Sequence, residues 1–379
     1  MSFISSIRYI KPDGHRAFVA ERLKALKEQL DADIYDRTDA NSLRLATWNI
    51  MHFSDGGSYD RTTESLLYIA EIIDHFDLVA IQEVNHDLRK FELLMQRYLG
   101  SDWDYILTDA SGNRERLAFV YRKAKVRFLR EAGEIVLPEG QEIVAPDQEN
   151  ATRKLQFART PFAVTFQSGW FRFKLCTVHI YYGKSADSSP EMEQRRSEIE
   201  KIAAFLADVQ KSEKRSSGTD ANMILLGDFN IISPEHRTMK ALLDAGFITT
   251  DGIRDAATSL SGKHHYDQIV FKLAEKRVKL GASGVLSIFD SVYRSEDADH
   301  YAAKSGIKKI THGRDGTARS EDKAADYFRK YYRKHQLSDH NLLWCEIRTD
   351  FSGHYLDAVA AGRDPRKLRP SSGDMNCQQ

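Results

Sequence analysis

Several apolar runs in this chain end on a residue that a buried strand cannot tolerate without a partner. LRLATWN ends at Trp48-Asn49, LVAIQE at Gln82-Glu83, FKLCTVH at His179 and MILLGDFN at Asp228-Phe229-Asn230, while QLSDH puts Asp339-His340 just before NLLWCEI. Unpaired carboxylates are costly to desolvate, and a shared divalent cation relieves their repulsion. Strand ends spread over most of the chain therefore have to meet at one mouth. The runs alternate with helical patterns and with hairpin-like pairs, so the expected class is an α/β sandwich of mixed sheets and not a purely parallel sheet.

Helical spacing of Val19, Leu23, Leu26 and Leu30 after Pro12-Asp13-Gly14 predicts a helix over 15–34, and a second amphipathic helix is expected over 63–76. Strands are expected at DLVAIQEV, RLAFVYR (116–122), from Arg127, at 162–168 and 171–179, up to Asp228, and at 266–271. A helix is expected from about Pro190 to Gln210. This suggests an N-terminal helical extension (1–42), a catalytic domain (43–350) and a C-terminal segment (351–379) whose Pro/Ser/Gly/Asn/Gln-rich end is expected to be disordered. Within the catalytic domain, 286–337 reads as a polar, aromatic insertion. Its stretch from Lys304 to Lys334 carries ten Lys/Arg against four Asp/Glu, a local net of +6.

Lys plus Arg equals Asp plus Glu at 55 each, so there is no global attraction to nucleic acid and any basic face must be local. Cys176, Cys345 and Cys377 have no metal-like spacing and read as reduced thiols. With no apparent signal peptide or membrane-length run, the expectation is a cytoplasmic protein without a membrane partner.

In an extended segment Asp228 and Asn230 face the same side, so both can address one phosphate while Phe229 anchors behind them. Magnesium prefers oxygen ligands and takes one or two protein carboxylates, which Glu83 and Asp339 would satisfy. Asn49 either orients Glu83 or meets the metal through water. His179 and His340 suit proton transfer if neighbours fix their tautomers; Glu115 and Asp267 are the candidate partners. Arg159, in FARTP, offers a planar fork to a phosphate. Taken singly, each of these residues is as compatible with a structural role.

Together and in this order, TWNI (47–50), IQEV (81–84), ERLAFVYR (115–122), FARTP (157–161), TVH (177–179), GDFN (227–230), YDQIVF (266–271) and SDH (338–340) resemble the endonuclease/exonuclease/phosphatase superfamily, in its deoxyribonuclease I-like branch. The resemblance covers roughly residues 43–348. It implies a four-layer sandwich, two mixed sheets flanked by helices. It also implies that Glu83 binds Mg²⁺ (or Mn²⁺) with Asn49 and Asp339 close by, that Asp228 and Asn230 face the scissile phosphate, that His340 pairs with Asp267 and His179 with Glu115, and that Arg159 contacts substrate phosphate. Either His179 or Asp228 would act as base.

The chain departs from deoxyribonuclease I in its missing signal and cysteine pair, its N-terminal helix and its insertion. His179 stands where the abasic-site repair branch carries a tyrosine-type residue. The expected function is a metal-dependent phosphodiester hydrolase, a nuclease acting on DNA, with Tyr327, Phe328, Tyr331 and Tyr332 among basic residues as a backbone-tracking patch. The alternatives are a phosphatase or phosphodiesterase on a small-molecule or lipid-headgroup phosphoester, and a catalytically silent binding module.

Overall fold

The computed structural model describes residues 3–54, 56–146, 152–184, 186–217 and 221–364. The strands are β1 (Leu43–Phe53), β2 (Leu78–Asn85), β3 (Trp103–Leu107), β4 (Glu115–Arg122), β5 (Arg127–Glu134), β6 (Ile143–Pro146), β7 (Thr152–Leu155), β8 (Phe162–Ser168), β9 (Phe171–His179), β10 (Met223–Asp228), β11 (Asp267–Lys272), β12 (Lys279–Leu286) and β13 (Leu342–Arg348). One sheet has the order β12-β13-β1-β2-β4-β3 and the other β11-β10-β9-β8-β5, while β6 and β7 form a separate hairpin. Within the large sheets β1 runs parallel to β2 and β9 parallel to β10; the other pairings are antiparallel. Both sheets are mixed, as the alternation of helical and hairpin-like patterns required.

The sheets pack face to face on alternate side chains, including Leu45, Ala80, Phe119 and Leu343 from one and Phe166, Leu175, Leu226 and Phe271 from the other. The second faces need cover because their strands are apolar on both sides. Outside the β10 sheet, the helices Pro190–Ser217 and Arg237–Asp244 bury Ile199, Ile202, Leu206 and Leu242 against Leu225 and Val178. Outside the β1 sheet, one apolar cluster unites Val19, Leu23, Leu26 and Leu30 of the helix Asp13–Asp33, the helix Thr63–Asp74, and Tyr293, Tyr301, Phe328 and Tyr332. The result is four layers, helix–sheet–sheet–helix.

The expected elements lie where the patterns put them, apart from shifted ends and a longer helix after Pro190. The sequence patterns offer nothing for β3, β12 or the β6–β7 hairpin, which are short or half-exposed. The division at 1–42, 43–350 and 351–379 remains a proposal, and the apolar cluster around the first helix crosses its first boundary into 286–337. The C-terminal segment contains the helix Ser352–Ala360; the expected disordered end lies outside the described residues. No helix among the described residues is long and apolar enough to cross a membrane.

Candidate active site

Topology alone brings the chemistry-bearing residues to one rim. Parallel β9 and β10 end together, so His179 sits opposite Asp228, and antiparallel β11 starts there with Asp267 opposite Asp228. In the facing sheet, Asn49 of β1 lies opposite Gln82 of β2, and β4 begins with Glu115 opposite Asn85. His340 precedes β13, which runs antiparallel to β1.

Two backbone features aim the side chains. Register shifts in both pairings of β2 flank Glu83, which has φ 61°, so a bulge turns this carboxylate out of the ladder and toward the mouth. Gly227, with φ 133°, lets β10 press on β9: a Cβ there would sit 2.1 Å from the Val178 carbonyl oxygen. The glycine of GDFN is thus required by the approach that sets Asp228 beside His179.

Asp228 is the hub. Its Oδ2 accepts from Asn49 Nδ2 at 3.0 Å, lies 3.6 Å from His179 Nε2 and 3.8 Å from His340 Nε2, and its Oδ1 accepts from the Asn230 backbone N–H at 3.0 Å. Asn49 Nδ2 also donates to Glu83 Oε1 at 2.9 Å, while the His52 N–H donates to Glu83 Oε2 at 2.9 Å. Behind the imidazoles, Asp267 Oδ2 lies 2.8 Å from His340 Nδ1, and Glu115 Oε2 lies 3.1 Å from both His179 Nδ1 and Arg159 Nε. Asn230 spends its amide N–H on the Ile180 carbonyl, 2.9 Å away, so it braces the loop, and its left-handed φ of 54° suits asparagine. Asp339 is half-buried beside His340 and makes no hydrogen bond or ion pair among the described residues.

Burial works against charge on both imidazoles, and the surrounding carboxylates outweigh it. His340 is held well above the usual imidazole range by Asp267 and Asp228, with Asp339 adding to the effect. His179 is raised by Glu115, with Asp228 and Glu83 helping against Arg159. Glu115 runs the other way: burial would raise it, but His179 and Arg159 bring it down to about 2. The Tyr266 ring lies 5.4 Å from the His340 ring and 5.1 Å from His264, with exposed Tyr182 at 6.4 Å, forming an aromatic wall on this side.

A family profile described as the Endonuclease/Exonuclease/phosphatase family matches residues 46–340. The chain belongs to the endonuclease/exonuclease/phosphatase family. No curated protein matches it. Among solved structures, the human Nocturnin catalytic domain with bound sulfate anion is 14% identical, covers 83% of this chain and 98% of its own, and has a TM-score of 0.50. A Bacteroides thetaiotaomicron protein of the endonuclease/exonuclease/phosphatase family is 17% identical over 83% of this chain and 98% of that one, with a TM-score of 0.49. D. rerio TDP2 complexed with single strand DNA product is 14% identical over 82% and 100%, with a TM-score of 0.46. Identities of this size speak to the shared fold, the sandwich that family membership implies.

All ten residues singled out from the sequence lie in or beside this rim, nine of them linked by the contacts above and Asp339 by its charge. Sequence reasoning missed the residues that hold the loops. Buried Arg61 donates to the carbonyls of Tyr59, Met51, His335 and Leu337, tying the β1 exit to the segment before Asp339. Buried Arg195 donates to the carbonyls of Tyr181, Tyr182, Lys184 and Asn230, tying the His179 loop to the Asp228 loop. Ser338 Oγ bonds the Asn49 carbonyl at 2.5 Å, and Trp48 Nε1 bonds the His340 carbonyl at 3.1 Å. A signal for Arg195 existed: it falls on the Met192, Ile199, Ile202, Leu206 stripe at helical spacing, where an arginine has no reason to be unless it is satisfied.

The donor set suits a hard cation. Asn49 Oδ1 is buried without a hydrogen-bond partner while its N–H₂ is spent on Glu83 and Asp228, so an oxygen lone pair beside these carboxylates is left unsatisfied. Asp228, Asp267 and His340 also bring ligand-type atoms within 4.8 Å of one another. In that trio, however, Asp267 and His340 already bond each other.

Proposed function

We propose that this chain is a divalent-metal-dependent phosphodiester hydrolase, a nuclease acting on DNA. The observation that carries the reading is the convergence on Asp228 of Asn49 and two imidazoles, each with a carboxylate behind it, beside an outward-turned glutamate. In this reading Glu83 and Asn49 Oδ1, with Asp339 nearby, would hold Mg²⁺ or Mn²⁺, which when bound supplies charge neutralisation at the phosphate.

The protein's own groups divide the rest. His340, positioned by Asp267, donates through Nε2 to a non-bridging phosphate oxygen and stabilises the charge that builds there. Asp228 orients the attacking water and takes its proton, since it sits centrally and accepts from Asn49 and the Asn230 N–H. His179, braced by Glu115, holds a second phosphate oxygen, and Arg159 stands behind it to keep the Glu115 carboxylate in place. Arg159 is engaged with Glu115, so its contact with substrate would use the remaining guanidinium nitrogens.

Fold likeness does not choose a substrate. The neighbours include a DNA-bound TDP2 and a Bacteroides thetaiotaomicron mannosyl-6-phosphatase. The deciding experiment assays the purified protein with Mg²⁺ or Mn²⁺, and with chelator, against plasmid and single-stranded DNA, RNA, bis(p-nitrophenyl) phosphate, sugar phosphates, inositol phosphates and sphingomyelin. Metal-dependent cleavage of DNA and of the small diester is expected. Intact DNA with a rapidly cleaved soluble monoester would overturn the nuclease reading in favour of a phosphatase, and DNA cleavage persisting in chelator would overturn the metal dependence.

A further inference from the structure

The metal-side edge of the cleft continues into a line of rings that the catalytic constellation does not use. His52, whose N–H bonds Glu83, has its ring 4.5 Å from Tyr59. Tyr59 lies 4.7 Å from His335, His335 lies 6.4 Å from Tyr331, and Tyr331 lies 5.8 Å from Tyr327. The basic-aromatic stretch has two faces. Phe328 and Tyr332 are buried in the apolar cluster, whereas Tyr331 is 53% exposed and Tyr327 is half-exposed. The rings of the ladder are tilted 36–57° to one another; Arg319 lies over the Tyr327 ring at 4.1 Å, and Tyr331 is the most exposed of them.

Charge follows the same line. Lys309 Nζ donates to a carbonyl, Gly57 O, at 2.6 Å, and the nearby Asp60 is ion-paired with Lys90 at 3.1 Å. The His335 imidazole is pushed down to about 4 by burial and by the positive charges of Arg61, Lys309, His52 and Lys334. The opposite face is spent: Lys330 and Arg329 pair with Asp326, and Arg333 lies over the Phe289 ring at 3.9 Å.

We infer that the ladder His52–Tyr59–His335–Tyr331–Tyr327, with Lys309 beside it, is an extended subsite for single-stranded nucleic acid entering the catalytic cleft. The inference rests on the hydrolase reading above and names its substrate class. A strip of successive rings with a lysine beside it fits a polymer of flat bases joined by phosphates, because stacking is indifferent to base identity and Lys309 can meet the backbone. A sugar phosphate held at Asp228 would reach the first rings only and would leave Tyr331 and Tyr327 without a role. The bases must be unpaired to offer their faces, hence a single strand.

The test is fluorescence anisotropy of the full chain, without divalent ion, using short labelled oligothymidylate and oligouridylate, with bis(p-nitrophenyl) phosphate hydrolysis as a separate readout. Tyr331→Ala and Tyr327→Ala should each weaken oligonucleotide binding about five- to a hundredfold. Tyr331→Trp should restore it, and hydrolysis of the small diester should not change. Wild-type affinity in both alanine variants, or no rescue by tryptophan, overturns the subsite. So does an enzyme that hydrolyses the small diester yet binds neither oligonucleotide. Ladder-dependent binding by a protein that hydrolyses nothing would uphold the subsite and sink the hydrolase reading instead. A preference between the thymidylate and uridylate probes would tell DNA from RNA within the same subsite.

Discussion

Replacing Arg195 by lysine is the sharpest test of how this rim is held. The guanidinium is fully buried and its fork reaches four carbonyls on two loops, at 3.0 Å for Asn230 and 3.2 Å for Tyr181. Lysine keeps the charge but concentrates its donors on one atom, so carbonyls on one loop or the other lose their partner. Each buried orphan costs about 1–3 kcal/mol, and water can reach those nearer the surface, so about 3 kcal/mol in total is the reasoned loss. For a chain of 379 residues, an unfolding entropy near 2 cal/mol/K per residue turns about 3 kcal/mol into a fall of about 4 °C in Tm. The activity should suffer more than the stability. The Asn230 loop carries Asp228, and misplacement on the ångström scale costs up to about 100-fold in rate, so a 10- to 100-fold drop in kcat with little change in KM is expected. Calorimetry and steady-state kinetics on a small phosphodiester would measure both. Wild-type Tm and kcat in Arg195→Lys would refute the claim that this fork positions the two loops.

The other perturbations address the charges directly. Glu83→Gln, Asp228→Asn and His340→Ala should each cost several orders of magnitude in kcat/KM while circular dichroism and Tm stay near wild type; near-full activity in any one would force that residue out of the machinery. Glu115 has a depressed folded pKa, about 2 against an ordinary 4.5, so its stabilisation is present above pH 4.5 and lost as pH falls toward about 2. Urea denaturation at stepped pH should therefore show Glu115→Gln less stable than wild type at neutral pH, with the gap closing across that acid window. A gap independent of pH would mean that Glu115 acts by packing and not by its charge.

The parts of this protein legible from sequence are those in which one residue conflicts with its neighbours. An aspartate at the end of MILLGD, or a histidine at the end of FKLCTV, has to be explained by something outside its own strand. Because strands β9, β10, β1 and β2 share one exit edge, those conflicts resolve at one place. The bulge at Glu83 was not legible, since a left-handed glutamate leaves no mark at the end of a continuous apolar run. The burial of 286–337 against the first helix was hidden for a related reason. Its tyrosines carry hydroxyls that read as surface, yet Tyr301 directs its own to the buried Glu64 carboxylate, which also accepts from Tyr68 of the helix Thr63–Asp74, and Tyr293 bonds Ser65 at 3.0 Å. The same ambiguity cuts the basic-aromatic stretch in two. Composition made Tyr327, Phe328, Tyr331 and Tyr332 one patch, whereas helical geometry buries Phe328 and Tyr332 and leaves Tyr331 exposed and Tyr327 half-exposed. Only the outward pair joins the rings that lead to Glu83, so the face a residue occupies, and not the charge count of the segment, decides whether it can meet a substrate.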